Sequence, residues 1–185
     1  MRKTLLLALV AVSLGACQSS GVVKDVHMGA EIAYGPEVMA SFEVFDSLKA
    51  QPFYSTKSGY GFKTAYTGAL KGGILEAWSY GKQFEFTKGT TGKTLCLIQP
   101  CVPMAYETGL VAMGEADFVN AAKTGFDFEL VGKATKVTGK IPATAFRAVL
   151  DLKSRLGSTA PVPAVENAPN QQKTAEVADA AEDGS

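Results

Sequence analysis

Phe126-Asp127-Phe128-Glu129-Leu130-Val131-Gly132-Lys133, answered by Thr135-Lys136-Val137-Thr138-Gly139-Lys140, is the stretch that sets the fold class. Phe126, Phe128 and Leu130 alternate with Asp127 and Glu129, the two-residue period of a strand with one dry and one wet face. Gly132-Lys133 marks a turn, so the two runs predict a β-hairpin. Helical signals flank it. Glu115 to Lys123 sets Phe118, Val119 and Ala122 on one side. Pro142 opens a last helix whose Phe146, Val149 and Leu150 form an apolar stripe, with Gly157 placed to stop it.

Strand periodicity continues toward the N-terminus. Thr94 to Ile98 and Gly109 to Met113 read as apolar strands, and Ile74 to Tyr80 and Gln83 to Thr87 as short β runs separated by Gly81 and Gly89. Tyr60, Phe62, Thr64 and Tyr66 alternate with Gly61, Lys63, Ala65 and Thr67. One further helix is predicted before them. Gly35-Pro36-Glu37 resembles a helix start, and Val38, Phe42, Phe45 and Leu48 recur at helical spacing up to Pro52. The expected class is a β-rich α+β fold, an antiparallel sandwich or rolled sheet with two or three short helices.

Residues 25–156 are of a size typical for one globular domain. After them, residues 157–185 hold no aromatic residue, carry Pro161, Pro163 and Pro169, and set five acids against Lys173. That composition predicts a disordered acidic tail. Fifteen Lys and Arg face thirteen Asp and Glu between Cys17 and Leu156, and they are dispersed. A nucleic-acid partner is not expected, because binding phosphates needs clustered cations.

The N-terminus gives an address. Arg2 and Lys3 precede an apolar run from Thr4 to Val12 that is too short to span a bilayer, and Leu14-Gly15-Ala16-Cys17 follows. This resembles the lipobox of bacterial lipoprotein precursors. The resemblance implies a signal peptide over residues 1–16, cleavage before Cys17 and acylation of Cys17. By composition, with Gln-Ser-Ser-Gly directly after the cysteine, residues 17–24 read as a polar tether. Two or more acyl chains give stable anchoring. Gln18, in place of an acidic residue, points to the outer membrane facing the periplasm.

Cys96 and Cys101 are then the two remaining thiols, and in an oxidising compartment they are expected to form a structural disulfide. A redox dithiol or a metal site is the alternative. Redox pairs favour two intervening residues, and a metal would need more than the single histidine, His27. Lys88 to Thr94 invites a phosphate-loop reading but lacks the required first glycine, so a polar hairpin turn is expected. Ala77-Trp78-Ser79-Tyr80-Gly81 is similar to a hydrolase nucleophile elbow, yet His27 precedes the serine instead of following it. Trp78 and Tyr80 read first as core packing on one strand face.

Aromatic residues cluster between Phe53 and Phe86. Among them Tyr60, Tyr66, Trp78 and Tyr80 are the candidates for ligand or partner contact, since Tyr and Trp favour interfaces. The order Cys96, Cys101, short helix, Gly-led hairpin, and Pro142-Ala143-x-x-Phe146 resembles the end of invasion-associated locus B type periplasmic proteins. It covers Cys96 to Leu152 and implies a β-sandwich of non-catalytic envelope character.

The expected function is a non-catalytic binding or structural role for a lipid-anchored envelope protein. The partners expected are the membrane, through the anchor, and another envelope protein. The alternative is a small-ligand-binding lipoprotein with an aromatic-lined groove, and an envelope hydrolase is the third reading. No catalytic residue, metal or cofactor is expected.

Overall fold

A computed structural model describes residues 20–26, 29–43, 46–68, 73–94, 104–133 and 135–156. Cys17, His27, Cys96, Cys101, the signal segment and residues 157–185 lie outside them, as do Leu95 to Ile98 of one expected strand. Among the described residues, two antiparallel sheets and two short helices form the body, with no closed barrel.

The larger sheet has seven strands: β1 (Gly21–Asp25), β2 (Ala30–Tyr34), β3 (Val38–Phe42), β4 (Asp46–Ser55), β5 (Gly59–Gly68), β8 (Phe86–Thr94) and β9 (Met104–Met113). Their order is β1-β2-β4-β5-β9-β8, with β3 also paired to β4. The smaller sheet runs β11-β10-β6-β7, from β6 (Ile74–Ser79), β7 (Lys82–Phe84), β10 (Phe126–Gly132) and β11 (Lys136–Ile141). Helices α1 (Glu115–Thr124) and α2 (Ala143–Lys153) bracket the β10–β11 hairpin in sequence.

The two-residue period is obeyed where it is cleanest. Phe126, Phe128 and Leu130 are buried while Asp127 is exposed, and Tyr60, Phe62, Thr64 and Tyr66 share the buried face of β5. An aromatic chain joins the layers. Phe62 lies 4.8 Å from Phe128 across the sheets, and Phe126 meets Phe84 and Phe146 edge-on at 5.5 and 6.2 Å. Phe118 of α1 sits 4.9 Å from Phe146 of α2, so both helices close onto the same core.

The expected helix from Gly35 to Pro52 is instead the β3–β4 hairpin. Val38 faces Ala50, Phe42 faces Ser47, and the Glu43 and Asp46 backbones bond reciprocally across the turn. Pairing overrides the local period here, because all ten residues of β4 are laddered to β5. Gly35 is required for close approach, since a Cβ there would fall 2.5 Å from the Ala145 carbonyl oxygen of α2.

Pro52 does not end an element but lies buried inside β4. It stands where β4's neighbour changes from β3 to β2, accepting from Gly35 N–H at 2.9 Å. Proline cannot return the reciprocal bond. The Gln51 side-chain amide donates to the Gly35 carbonyl instead, at 3.1 Å.

Two more expectations change. Lys88 to Thr94 is part of strand β8, not a hairpin turn. A bulge between Lys88 and Thr91 is held by Thr108 Oγ1, which accepts from Thr90 N–H at 2.7 Å and donates to its carbonyl at 3.2 Å. Gly21 to Lys24, assigned to the tether, belong to strand β1 and pair with β2.

Candidate functional site

The four candidate aromatics divide into two pairs. Tyr66 is buried to 1% exposure, and its hydroxyl donates to Asp46 Oδ1 at 2.9 Å. Burial, with that carboxylate beside it, pushes its pKa up to about 12. Tyr60 is also buried. Its ring packs 4.7 Å from Phe118, its hydroxyl donates to Glu115 at 2.9 Å, and it accepts a bond from Lys153. Both are therefore corrected from contact candidates to internal polar anchors.

Trp78 and Tyr80 are the other pair, and neither is core packing. Trp78 is half-buried on the outer face of the smaller sheet, its indole N–H donating to Glu76 at 2.7 Å. Tyr80 is 86% exposed. It occupies the first of two turn positions between the paired residues Ser79 and Lys82, with φ of 47°, followed by Gly81 at 79°. Two positive φ values are what a type I′ hairpin turn demands, and Asn or Gly usually takes the first. A bulky tyrosine there is a backbone outlier.

These aromatics border an open groove of about 620 Å³ that also takes in Ala40 and Ser41 of β3, Asp127 and Glu129 of β10, and Thr138 and Lys140 of β11. Strand register makes it. Glu129 stands between Trp78 on β6 and Thr138 on β11, and Asp127 faces Lys140. Its charges are matched internally. Lys140 pairs with Asp127 at 3.3 Å and Lys136 with Glu129 at 3.0 Å, while the Tyr80 hydroxyl donates to Asp127 at 2.9 Å. That bond to a carboxylate raises the Tyr80 pKa above its ordinary value.

Ser79, the elbow position, points the other way. It is buried, and its hydroxyl donates to the Asp127 carbonyl at 2.6 Å, tying β6 to β10. Among the described residues no group of three His, Cys, Asp or Glu side chains could hold a metal ion, and no helix is long and apolar enough to cross a membrane.

Glu107 escaped sequence reading. It is a buried carboxylate on β9, accepting from Gly73 N–H at 2.8 Å and Ile74 N–H at 3.0 Å, and so caps the start of β6. The signal was its place in the alternation Ala105, Glu107, Gly109, Val111, visible only when the strand is started at Met104.

Comparison of the chain with family models, curated proteins and solved structures finds no match.

Proposed function

We propose that this protein is a lipid-anchored component of a bacterial cell envelope, with a non-catalytic binding role exercised through the outer face of its four-stranded sheet. The observation that carries the reading is the run from Arg2 to Cys17, a cationic head, a short apolar stretch and Leu14-Gly15-Ala16-Cys17 in succession. The fold supports it. Strand β1 begins four residues after Cys17, so a lipid on that thiol would hold the sheet edge within about 14 Å of the bilayer. Val22, Val23 and Val26 are exposed along that edge.

A binding role is favoured over hydrolysis by the commitment of the Ser79 hydroxyl to a backbone carbonyl. The small-ligand reading rests on the groove beside Trp78 and Tyr80, whose volume falls in the range of ligand sites, roughly 300–1,000 Å³. The anchor is tested by metabolic labelling with a clickable fatty acid. The wild type should incorporate label and fractionate with membranes, whereas Cys17→Ser should remain unlabelled, uncleaved precursor. Equal labelling of the two proteins would refute the reading.

A further inference from the structure

We propose that the Trp78–Tyr80 groove binds an uncharged, polyhydroxylated ligand, a segment of a glycan, with the two aromatic rings as stacking platforms. The proposal deepens the binding role above and rests on it. Three observations converge on this chemistry.

The first is the outlier. Tyr80 combines a positive φ with near-complete exposure of an aromatic ring. A bulky side chain in the left-handed region is strained, and its exposed ring gains nothing from the core. Asn would fill the same turn with less strain. Strain of this sort gathers at ligand sites, where the surroundings hold it in place. Here Asp127 holds it, fixing the ring by its hydroxyl at the mouth of the groove.

The second is the distribution of charge. Asp127 and Glu129 are each neutralised by a lysine on the neighbouring strand, and Glu76 is engaged by the indole N–H. An anionic ligand would meet the two carboxylates that line the groove, and a cationic one would have to compete with the lysines already paired to them. A neutral ligand disturbs neither pair. Each carboxylate offers about four acceptor positions, so a paired carboxylate can still accept from a ligand hydroxyl.

The third is the alternation of apolar and polar surface. A sugar ring has a flat patch of C–H bonds on one face and hydroxyls around its rim. The Trp78 indole, set in the sheet face, matches the patch, because an aromatic face carries the negative lobe of its quadrupole toward those hydrogens. Asp127, Glu129, Thr138 and Lys140, along the adjoining strands, supply acceptors and donors for the rim. A purely apolar ligand would desolvate these groups and leave their remaining donor and acceptor positions unfilled.

Trp78 is the sole tryptophan of the chain, so its emission reports the site directly. The full chain, extracted from membranes in detergent, is titrated with chitotetraose, cellotetraose and maltotetraose, and tested for co-sedimentation with insoluble chitin. Saturable change in tryptophan emission with at least one oligosaccharide, or saturable co-sedimentation, is expected. Tyr80→Asn should weaken that binding roughly tenfold or more while keeping or raising the melting temperature. Tyr80→Phe, which retains the ring, should bind within a few-fold of wild type. Absence of binding to all four probes overturns the proposal, as does undiminished binding by Tyr80→Asn. A fall in melting temperature with Tyr80→Asn would make the tyrosine a structural residue and overturn it equally. Normal fatty-acid labelling alongside failed glycan binding refutes this inference alone, and glycan binding by an unlabelled chain refutes the anchor alone.

Discussion

Glu107 shows how much one side chain can carry in this fold. Its two oxygens receive the N–H groups of Gly73 and Ile74, where β6 begins. Glu107→Ala would leave two donors without this acceptor, the Ile74 N–H buried and the Gly73 N–H half-buried. A buried orphaned group costs about 1–3 kcal/mol and a half-buried one less, so a loss of about 2 kcal/mol in urea unfolding is expected. Glu107→Gln keeps one acceptor oxygen and should lose less. Equal stability of Glu107→Ala and wild type would mean that the β6 start is satisfied by other means. Tyr66 teaches the converse. From sequence its polar tip suggested a ligand contact, yet the tip ends on Asp46 inside the fold. A tyrosine's type shows that its hydroxyl will seek a partner, and only the chain path decides which.

At the scale of elements, what was legible follows from how each strand is buried. β10 has one dry and one wet face, so its pattern declares it, and α1 and α2 carry stripes that a single helix must bury. β3 is different. Its five residues read half-buried, exposed, half-buried, half-buried, exposed, with no alternation to detect. Its identity comes from pairing with β4, and the spacing of Val38, Phe42, Phe45 and Leu48 imitated a helix by coincidence. The groove shared this fate, since Trp78 and Tyr80 could be nominated from sequence, but the register placing Glu129 and Thr138 beside them could not. The β10–β11 hairpin also depends on a glycine whose role no local pattern shows. A Cβ at Gly139 would fall 2.6 Å from the Phe128 ring and 3.0 Å from Leu48, where β11 lies over the core. Gly139→Ala should therefore cost about 1–3 kcal/mol by overpacking. Gly92 on β8 has open space at its Cβ position, and Gly92→Ala should be close to neutral in the same thermal melt.

At the scale of the whole fold, the described residues form two sheets closed by a helix pair, and one polar cluster fastens that closure. Lys153, at the end of α2, donates to the Tyr60 hydroxyl on β5 and lies over the Tyr54 and Tyr60 rings at 4.6 and 4.7 Å. Tyr60 in turn donates to Glu115, the first residue of α1, so three elements meet at one hydroxyl. The titration behaviour follows from these contacts. The Tyr60 hydrogen bond, and then the Lys153 charge, hold Glu115 below its ordinary value of 4.5. The bond to Tyr60 raises Lys153 above 10.5. A carboxyl depressed by folding adds stability that is complete above its unfolded value and disappears as pH falls through the folded one. A raised lysine adds stability that is complete below its unfolded value and disappears as pH rises through the folded one. Burial raises the Tyr60 hydroxyl above 10.0, and its contribution fades with rising pH in the same way, so the cluster should contribute fully between about pH 4.5 and 10. Lys153→Met should lower stability at pH 7 by about 1 kcal/mol, the scale of a partly exposed cation over aromatic rings. Glu115→Gln should also be less stable than wild type at pH 7, and the difference should shrink when urea unfolding is repeated below pH 4.5, as the wild-type carboxyl protonates. An unchanged difference at the two pH values would show that Glu115 contributes through its shape and not its charge.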